Sequence, residues 1–245
     1  MNFLKNILAR IFAFWAVILF IVTMLVIFIP MLIIGLWPEP QRTKLFHRIS
    51  QIWMAIFLTL TGVWIKRKGK EHFKKGECYI VICNHNTLMD VPVTTPWIPG
   101  ANKSIAKIEM SRIPLFGIIY KRGAVLVDRK SDESRKASYN KMKNVLEIGL
   151  HMCVYPEGTR NKTKEPLQPF HNGPFRLAID TGHPIIPAVL FNTNKVLPNN
   201  KTFYYWPGKI EMHFLEPIPV GPMTIDQLKE KLFNLMREYY VQHNH

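Results

Sequence analysis

A histidine and an aspartate that could act as a catalytic pair, His85 and Asp90, lie in the segment 84–90, NHNTLMD. On a regular helix, side chains five positions apart point about 140° away from each other, so these two can meet only across a turn. Pro92 favours the first turn of a helix, which places Asp90 at the helix start and His85 in the loop before it. The carboxylate could then hold one imidazole nitrogen while the other faces a substrate.

A purely structural explanation of this segment stays open. Asp90 could cap the helix, or Thr87 and Asp90 could form a capping box, with His85 an ordinary loop residue. The residues of this segment taken alone do not decide between the two explanations.

The segment 155–160, YPEGTR, directly follows a predicted strand and could bind an anion. Gly158 allows the backbone to approach closely, Thr159 offers a hydroxyl and an amide, and Arg160 carries a planar fork that matches a phosphate or a carboxylate. The open alternative is a structural turn in which Glu157 and Arg160 pair with each other.

Two further cations, Lys107 and Arg129, come at the ends of two other predicted strands. Each could bind an anionic substrate, and each could equally be an ordinary surface charge. For Arg129, the pair Asp128-Arg129 could close a strand end without any role in binding.

These segments need a scaffold, and the pattern past Glu77 is typical of an α/β fold, because short apolar runs alternate with amphipathic stretches. We expect a mixed central sheet flanked by helices, with functional residues at the carboxyl ends of strands. Pro187 cannot donate to a ladder and is expected at a sheet edge or bulge. The predicted strands are residues 79–83, 104–106, 124–127, 152–155, 185–190 and 210–214, and the predicted helices are 112–120, 132–148, 173–181 and 224–240.

Residues 1–70 are predicted to be a membrane anchor of two helices, and residues 71–245 to be the α/β domain. Residues 11–37 carry no charge, and about 27 residues of helix measure roughly 40 Å, which is enough to cross a bilayer. The apolar stretch 52–65 is too short to span and suits a helix in the membrane interface. Either the first helix spans, or both form a hairpin that enters and leaves one leaflet.

The charge balance points to an acidic partner, since 32 Lys and Arg stand against 17 Asp and Glu and the formal net charge is +15. Basic clusters at residues 66–70 and 74–75 follow the apolar segment, as at an anionic membrane surface. No nucleic-acid motif is present, so membrane lipids are the expected partners and nucleic acid is not. A merely solvated basic face is the alternative for any one cluster.

The cysteines and possible metal ligands show no recognisable site spacing. Cys78, Cys83 and Cys153 include no Cys-x-x-Cys pair, which is typical of reduced thiols in a domain that faces the cytoplasm. The candidate site is not expected to need a metal, since its histidine and carboxylates lack a ligand spacing.

Taken in order, these segments resemble the 1-acyl-glycerol-3-phosphate acyltransferases and related glycerolipid acyltransferases. The family motif Asn-His-x-x-x-x-Asp matches Asn84, His85 and Asp90, and Pro-Glu-Gly-Thr-Arg matches residues 156–160. The second family motif is similar to residues 107–129, and the fourth to residues 186–189.

The resemblance implies transfer of a fatty acyl group from a thioester, acyl-CoA or acyl carrier protein, to the sn-2 hydroxyl of 1-acyl-glycerol-3-phosphate at a membrane, which gives phosphatidic acid for phospholipid biosynthesis. It implies no other cofactor, a bacterial inner membrane, and an active site on the cytoplasmic face. His85 would be the general base and Asp90 would orient it. The implied substrate-binding residues are Lys107, Arg129, Glu157, Gly158, Thr159 and Arg160.

One departure from the family concerns the residues after the third motif. The family often has Phe-Lys-x-Gly there, whereas this chain has residues 170–173, FHNG. A lysine that could touch the substrate is therefore missing, and His171 is a candidate partial replacement. The departure leaves the reaction type intact and the choice of lysolipid open.

The chain has no Gly-x-Ser-x-Gly nucleophile elbow, and Cys83 lies inside an apolar strand, where a structural thiol is expected. The sequence therefore favours direct transfer without an acyl-enzyme. Two alternatives remain: an acyltransferase for another lysolipid, such as a lyso-aminolipid, and a non-catalytic protein that binds or bends anionic membranes. The number of subunits stays open.

Overall fold

The fold is described from a computed structural model in which residues 2–244 are placed. Within these residues, eight α-helices and seven β-strands alternate along most of the chain, with short 3-10 turns at Ile34–Leu36, Lys70–His72 and Ile108–Arg112. The helices are α1 Asn2–Ile33, α2 Gln41–Leu60, α3 Asp90–Trp97, α4 Phe116–Arg122, α5 Asp132–Glu147, α6 Gly173–Thr181, α7 Thr193–Val196 and α8 Ile225–His243. The strands are β1 Val63–Lys68, β2 Ile80–Cys83, β3 Asn102–Lys107, β4 Ala124–Val127, β5 His151–Val154, β6 Ile185–Phe191 and β7 Gly208–Phe214.

The strands of this described part form one mixed sheet in the order β1-β7-β6-β2-β5-β3-β4. Only β6 and β7 pair in antiparallel fashion, and the other neighbours are parallel. Five adjacent strands, β6, β2, β5, β3 and β4, therefore present their carboxyl ends at one edge. This confirms the predicted α/β architecture.

The central strands are buried on both faces, which is why they read as unbroken apolar runs. Alternate residues of β2 enter different cores. Val81 and Cys83 pack with residues of α2 and α3, whereas Ile80 and Ile82 pack with residues of α5, α6 and α8. The sheet is thus covered by helices on both sides.

The sequence predicted one helix over the apolar stretch 52–65, but this stretch does not form a single helix. Helix α2 ends at Leu60, and Gly62 takes a left-handed conformation with φ +69° that ends the helix. The chain then enters β1, which pairs with β7. The range 1–70 predicted as membrane-anchoring helices therefore includes an edge strand of the sheet.

Of two proline-containing segments, the first differs from expectation and the second agrees with it. The predicted helix 112–120 is divided, because Pro114 forces Ile113 into extended backbone and helix α4 starts only at Phe116. Pro187 lies in the interior strand β6. Next to it the antiparallel pairing shifts by one residue, since Ala188 pairs with Phe214 but Ile185 pairs with Ile218. Pro187 therefore lies at a bulge, as predicted. Its carbonyl accepts the Leu215 N–H at 2.8 Å, but it has no N–H to return, so the regular β6–β7 register stops one residue away.

Helix α1 lies along the α/β domain and does not project away from it. Near its start, the Ala9 carbonyl accepts the Tyr205 N–H at 3.1 Å. In its middle, Thr23 Oγ1 accepts from the Trp53 indole at 2.9 Å, and near its end the Leu32 carbonyl accepts from Arg122 at 3.4 Å. Its outward face is apolar and exposed, including Phe14, Val22, Val26 and Ile29. It is long and apolar enough to be a membrane segment.

Candidate active site

The sequence-predicted site residues meet at the carboxyl edge of the parallel strands. His85 follows β2, residues 155–160 follow β5, Lys107 ends β3, and Arg129 follows β4. Since β2 lies between β6 and β5, the two motif-bearing loops are neighbours although about 70 residues separate them in the chain.

His85 and Asp90 are in contact. Imidazole Nδ1 lies 2.7 Å from Asp90 Oδ2, and the aspartate is fully buried at the start of α3. The same Oδ2 accepts the backbone N–H groups of Asn86 at 2.5 Å and Thr87 at 2.8 Å. Asp90 thus binds the turn that precedes the helix, and its bond from the Thr87 N–H is one half of the predicted capping box. The Thr87 hydroxyl completes the turn by accepting the N–H of Met89 at 3.0 Å and not that of Asp90. The turn brings the pair together as the first hypothesis required.

The second imidazole nitrogen of His85 is available to a substrate. Among residues 2–244, no hydrogen bond to Nε2 is formed, and the side chain is 17% exposed. The ring stacks on buried Tyr155, with centroids 4.3 Å apart, and the Tyr155 hydroxyl is 2.6 Å from Thr94 Oγ1. The imidazole is therefore held at its edge by a carboxylate and on its face by an aromatic ring, with Nε2 directed outward.

Glu157 positions the backbone of His85. Its Oε1 accepts the His85 N–H at 2.7 Å, and its Oε2 accepts the Gln168 N–H at 2.9 Å. The His85 carbonyl accepts the Asn161 N–H at 2.6 Å, so both backbone groups of the histidine are tied to the other loop. Glu157 is 2% exposed and does not pair with Arg160, so its geometry favours positioning over the predicted contact with substrate.

Burial also perturbs the Glu157 carboxyl. It raises the pKa from 4.5 to about 7, against the opposing effect of the two backbone hydrogen bonds, and the negative charge of Asp90 adds to the increase. Near neutral pH this carboxyl is therefore only partly ionised.

Two other residues singled out from the sequence, Arg129 and His171, lie at Gly158. Gly158 has φ +67°, and a Cβ there would lie 2.6 Å from the ring of His171, so only glycine fits. Arg129 donates a hydrogen bond from its guanidinium to the Gly158 carbonyl. The structure thus brings Arg129 and His171 to the loop, whereas Lys107 is an exposed residue at the end of its strand.

Asn199 is a site residue that the sequence did not indicate. Its side chain donates to the carbonyls of Asn86 and, at 3.3 Å, of Asn161. Its Oδ1 lies 3.4 Å from Arg160 Nη1. Asn199 therefore links the two loops and the arginine, while Thr159 is exposed. An asparagine in a polar loop has no spacing that marks such a role.

The remaining polar groups near the site are structural. The Asn84 amide donates to the Leu190 carbonyl at 3.0 Å and accepts the Leu190 N–H at 2.7 Å, which joins β2 to β6. Burial raises the pKa of the Cys83 thiol well above its usual value, and neighbouring Cys153, with Sγ 4.0 Å away, raises it further. A thiol that stays protonated is a poor nucleophile.

Comparison with known proteins identifies the family. Residues 64–190 match the model of the acyltransferase family, a range that begins in β1 and includes His85, Asp90 and Arg160. The chain belongs to the acyltransferase family. This confirms the resemblance seen in the motifs, and it places β1 with the enzyme domain.

Individual acyltransferases are similar over most of the chain. The 1-acyl-sn-glycerol-3-phosphate acyltransferase of Haemophilus influenzae is 30% identical over 184 residues, 73% of each chain. The enzyme of the same name from Helicobacter pylori is 29% identical over 225 residues, 90% of this chain and 92% of the relative. The crystal structure of the 1-acyl-sn-glycerophosphate acyltransferase PlsC of Thermotoga maritima superposes with a TM-score of 0.80 at 21% identity, covering 99% of this chain and 97% of that one. The fold is therefore that of PlsC.

The buried Glu157 carboxyl makes stability depend on pH. The pKa of Glu157 is raised in the folded state, so its protonated form stabilises the folded protein. This stabilisation is complete below about pH 4.5 and is lost as the pH rises through about 7. Relative to Glu157→Gln, the wild-type free energy of unfolding should fall by about 3 kcal/mol across that window. Chemical unfolding in detergent at pH 4.5, 6, 7 and 8 measures this. Glu133→Gln, at an exposed position, is the control. If the free energy of unfolding had the same pH dependence in the wild type and in Glu157→Gln, the prediction would be wrong.

Proposed function

We propose that this acyltransferase moves a fatty acyl group from an acyl thioester to the sn-2 hydroxyl of 1-acyl-glycerol-3-phosphate, which gives phosphatidic acid. The observation that carries the proposal is the 2.7 Å contact between His85 and Asp90 with the outer imidazole nitrogen open. The names of the relatives support the choice of acceptor.

In the proposed reaction His85 is the general base. Its Nε2 takes the proton of the acceptor hydroxyl while that oxygen attacks the thioester carbonyl. The tetrahedral intermediate then expels the thiolate, which receives the proton from the imidazolium. Asp90 holds the imidazole in the tautomer with Nδ1–H and stabilises the cation that forms. No acyl-enzyme is required, which agrees with the protonated state of Cys83.

The acceptor phosphate is proposed to bind beside the Gly158 loop. Arg160 offers a guanidinium next to both loops, and Arg129 and His171 both reach Gly158. Guanidinium forks match phosphate oxygens and give charge-assisted hydrogen bonds. Lys107, at the end of β3, can add a more distant charge.

Helix α1 is proposed to lie in the membrane interface and not to cross the bilayer. Its contacts at Ala9 and Leu32 are 23 positions apart, about 35 Å along a helix, which exceeds the hydrocarbon thickness of about 30 Å. If α1 crossed the bilayer, the α/β domain that contacts it at both ends would therefore lie within the hydrocarbon. An interfacial α1 buries its exposed apolar face in lipid and holds the site beside its lipid substrate.

The role of the catalytic pair is tested by two substitutions. His85→Ala removes the base and should lower kcat about 10²- to 10⁴-fold. Asp90→Asn keeps an oxygen for the turn but removes the charge that stabilises the imidazolium, and should also lower kcat by at least about 10²-fold. Thiol release from palmitoyl-CoA with lysophosphatidate in vesicles measures both.

His72→Ala and Asp226→Asn, which lie away from the site, should retain wild-type rates. Near-normal transfer by a folded, membrane-bound His85→Ala would show that His85 is not the base. A protein that only binds membranes would release no thiol in any form.

The acceptor is tested with Arg160→Ala and a panel of lysolipids. The loss of a charge-assisted contact should raise the KM for lysophosphatidate about tenfold. The KM for a monoacylglycerol, which lacks the phosphate, should not change. Arg237→Ala on α8 is the matched control, and a panel in which a lyso-aminolipid is the best acceptor would replace the proposed substrate.

The position of α1 is tested by the depth of nitroxide labels at Phe14, Val22 and Ile29 in vesicles. An interfacial helix places all three at similar shallow depths. A spanning helix separates the first and last by about 22 Å along its axis. A label at Lys141 on α5 should remain in water, and a graded depth across α1 would contradict the interfacial arrangement.

A further inference from the structure

A groove of about 690 Å³ lies beside the candidate site, and apart from Arg129 its lining residues have no part in the mechanism described so far. Helices α5 and α6 form its walls, and the apolar side chains of Ile105, Val127 and Met142 line it. Its volume falls within the range of about 300–1,000 Å³ that is typical of small-molecule sites. A ligand with an extended, uncharged stem fits such a groove.

The rim of the groove is cationic. Arg135 is paired with Asp132, but Lys136 and Arg176 are exposed, and neither forms an ion pair with any residue in the described range 2–244. The nearby carboxylate of Asp180 pairs with Lys143 at 3.0 Å, and it interacts with Arg176 only at longer range. Two cations without an ion pair thus stand over an apolar groove, which suits a ligand with an anionic end.

One end of the groove reaches the loop that holds the catalytic histidine. Arg129 lines the groove and also donates to the Gly158 carbonyl. Asn172 and Gly173, which line it too, directly follow His171, whose ring packs over Gly158. A ligand in the groove therefore has its inner end beside the Gly158 loop.

The groove and the anchor lie on opposite faces of the sheet. Residues of α1 and α2 belong to one core, and those of α5 and α6 belong to the other. With α1 at the membrane, the groove opens on the side away from lipid. A water-soluble donor can enter there while the lysolipid approaches from the bilayer.

We propose that this groove binds the 4′-phosphopantetheine arm of the acyl thioester. The phosphate lies on Lys136 and Arg176, the uncharged stem follows the apolar lining, and the thioester reaches the Gly158 loop. The inference rests on the proposed function, since it assigns the donor site of that reaction. Coenzyme A and acyl carrier protein share this arm, and the experiment separates them.

The test is the double variant Lys136→Ala/Arg176→Ala, with each donor assayed at saturating lysophosphatidate. The KM for a phosphorylated donor should rise about tenfold or more, with kcat and the acceptor KM unchanged. S-palmitoyl-pantetheine, which lacks the phosphate, should have the same KM with the variant and the wild type. Lys141→Ala, an exposed residue on the same helix, is the matched control.

Palmitoyl-CoA and palmitoyl carrier protein form the two arms of the assay. A raised KM for either donor supports the site and shows whether it binds the 4′-phosphopantetheine of coenzyme A or that of acyl carrier protein. An unchanged KM for both, or an equal rise for S-palmitoyl-pantetheine, overturns the inference. Absence of transfer from every donor by the wild type would instead refute the proposed function.

A second variant tests occupancy of the groove without changing its charge. Gly173 lines the groove, and a Cβ there meets no atom within 4 Å, so Gly173→Phe adds bulk at the groove without changing its charge. It should raise the KM of all three pantetheine donors at least about fivefold and leave the acceptor KM unchanged. Wild-type donor KM values in a folded Gly173→Phe protein would show that the arm lies elsewhere.

Discussion

The buried carboxylate of Asp90 is the constraint on which the candidate site depends. A charge in the interior is tolerated only where hydrogen-bond donors replace water. Three donors converge on one oxygen of Asp90: the amides of Asn86 and Thr87 and the imidazole of His85. The shape of the turn and the orientation of the imidazole follow from this single requirement. A residue that caps a turn and a residue that orients a base are here the same residue.

A second buried carboxylate, that of Glu157, joins the two motif-bearing loops. It holds the His85 amide while the Asn161 amide holds the His85 carbonyl, so the base is attached to both loops through its backbone. This is possible because β2 and β5 are adjacent and parallel. The anchor covers one face of the sheet and the cationic groove opens on the other. In the proposed reaction, a soluble donor and a lipid acceptor would therefore approach the same edge from different sides.

The apolar pattern predicted most of the fold because interior parallel strands bury both faces and helices bury one. Strand β4 and helix α6 have the predicted bounds, and the other five predicted strands and two of the predicted helices differ at their ends by a few residues. The apolar pattern was less informative where a single turn or a tertiary contact, and not hydrophobicity, sets the local structure. Strand β1 continues the apolar stretch of α2 and differs from it only by the turn at Gly62. Pro187 is accepted in an interior strand because it lies at a bulge, as predicted, where the regular β6–β7 pairing ends.

The sequence by itself determined the residue types of the site, the family, the apolar anchor and the α/β class, because each leaves a local pattern of spacing or hydrophobicity. Only the tertiary structure decided which of these residues touch. The stacking of Tyr155 on His85, the positioning role of Glu157 and the link through Asn199 all depend on the order of strands in the sheet. That order brings together loops far apart in the chain, and no local pattern encodes it.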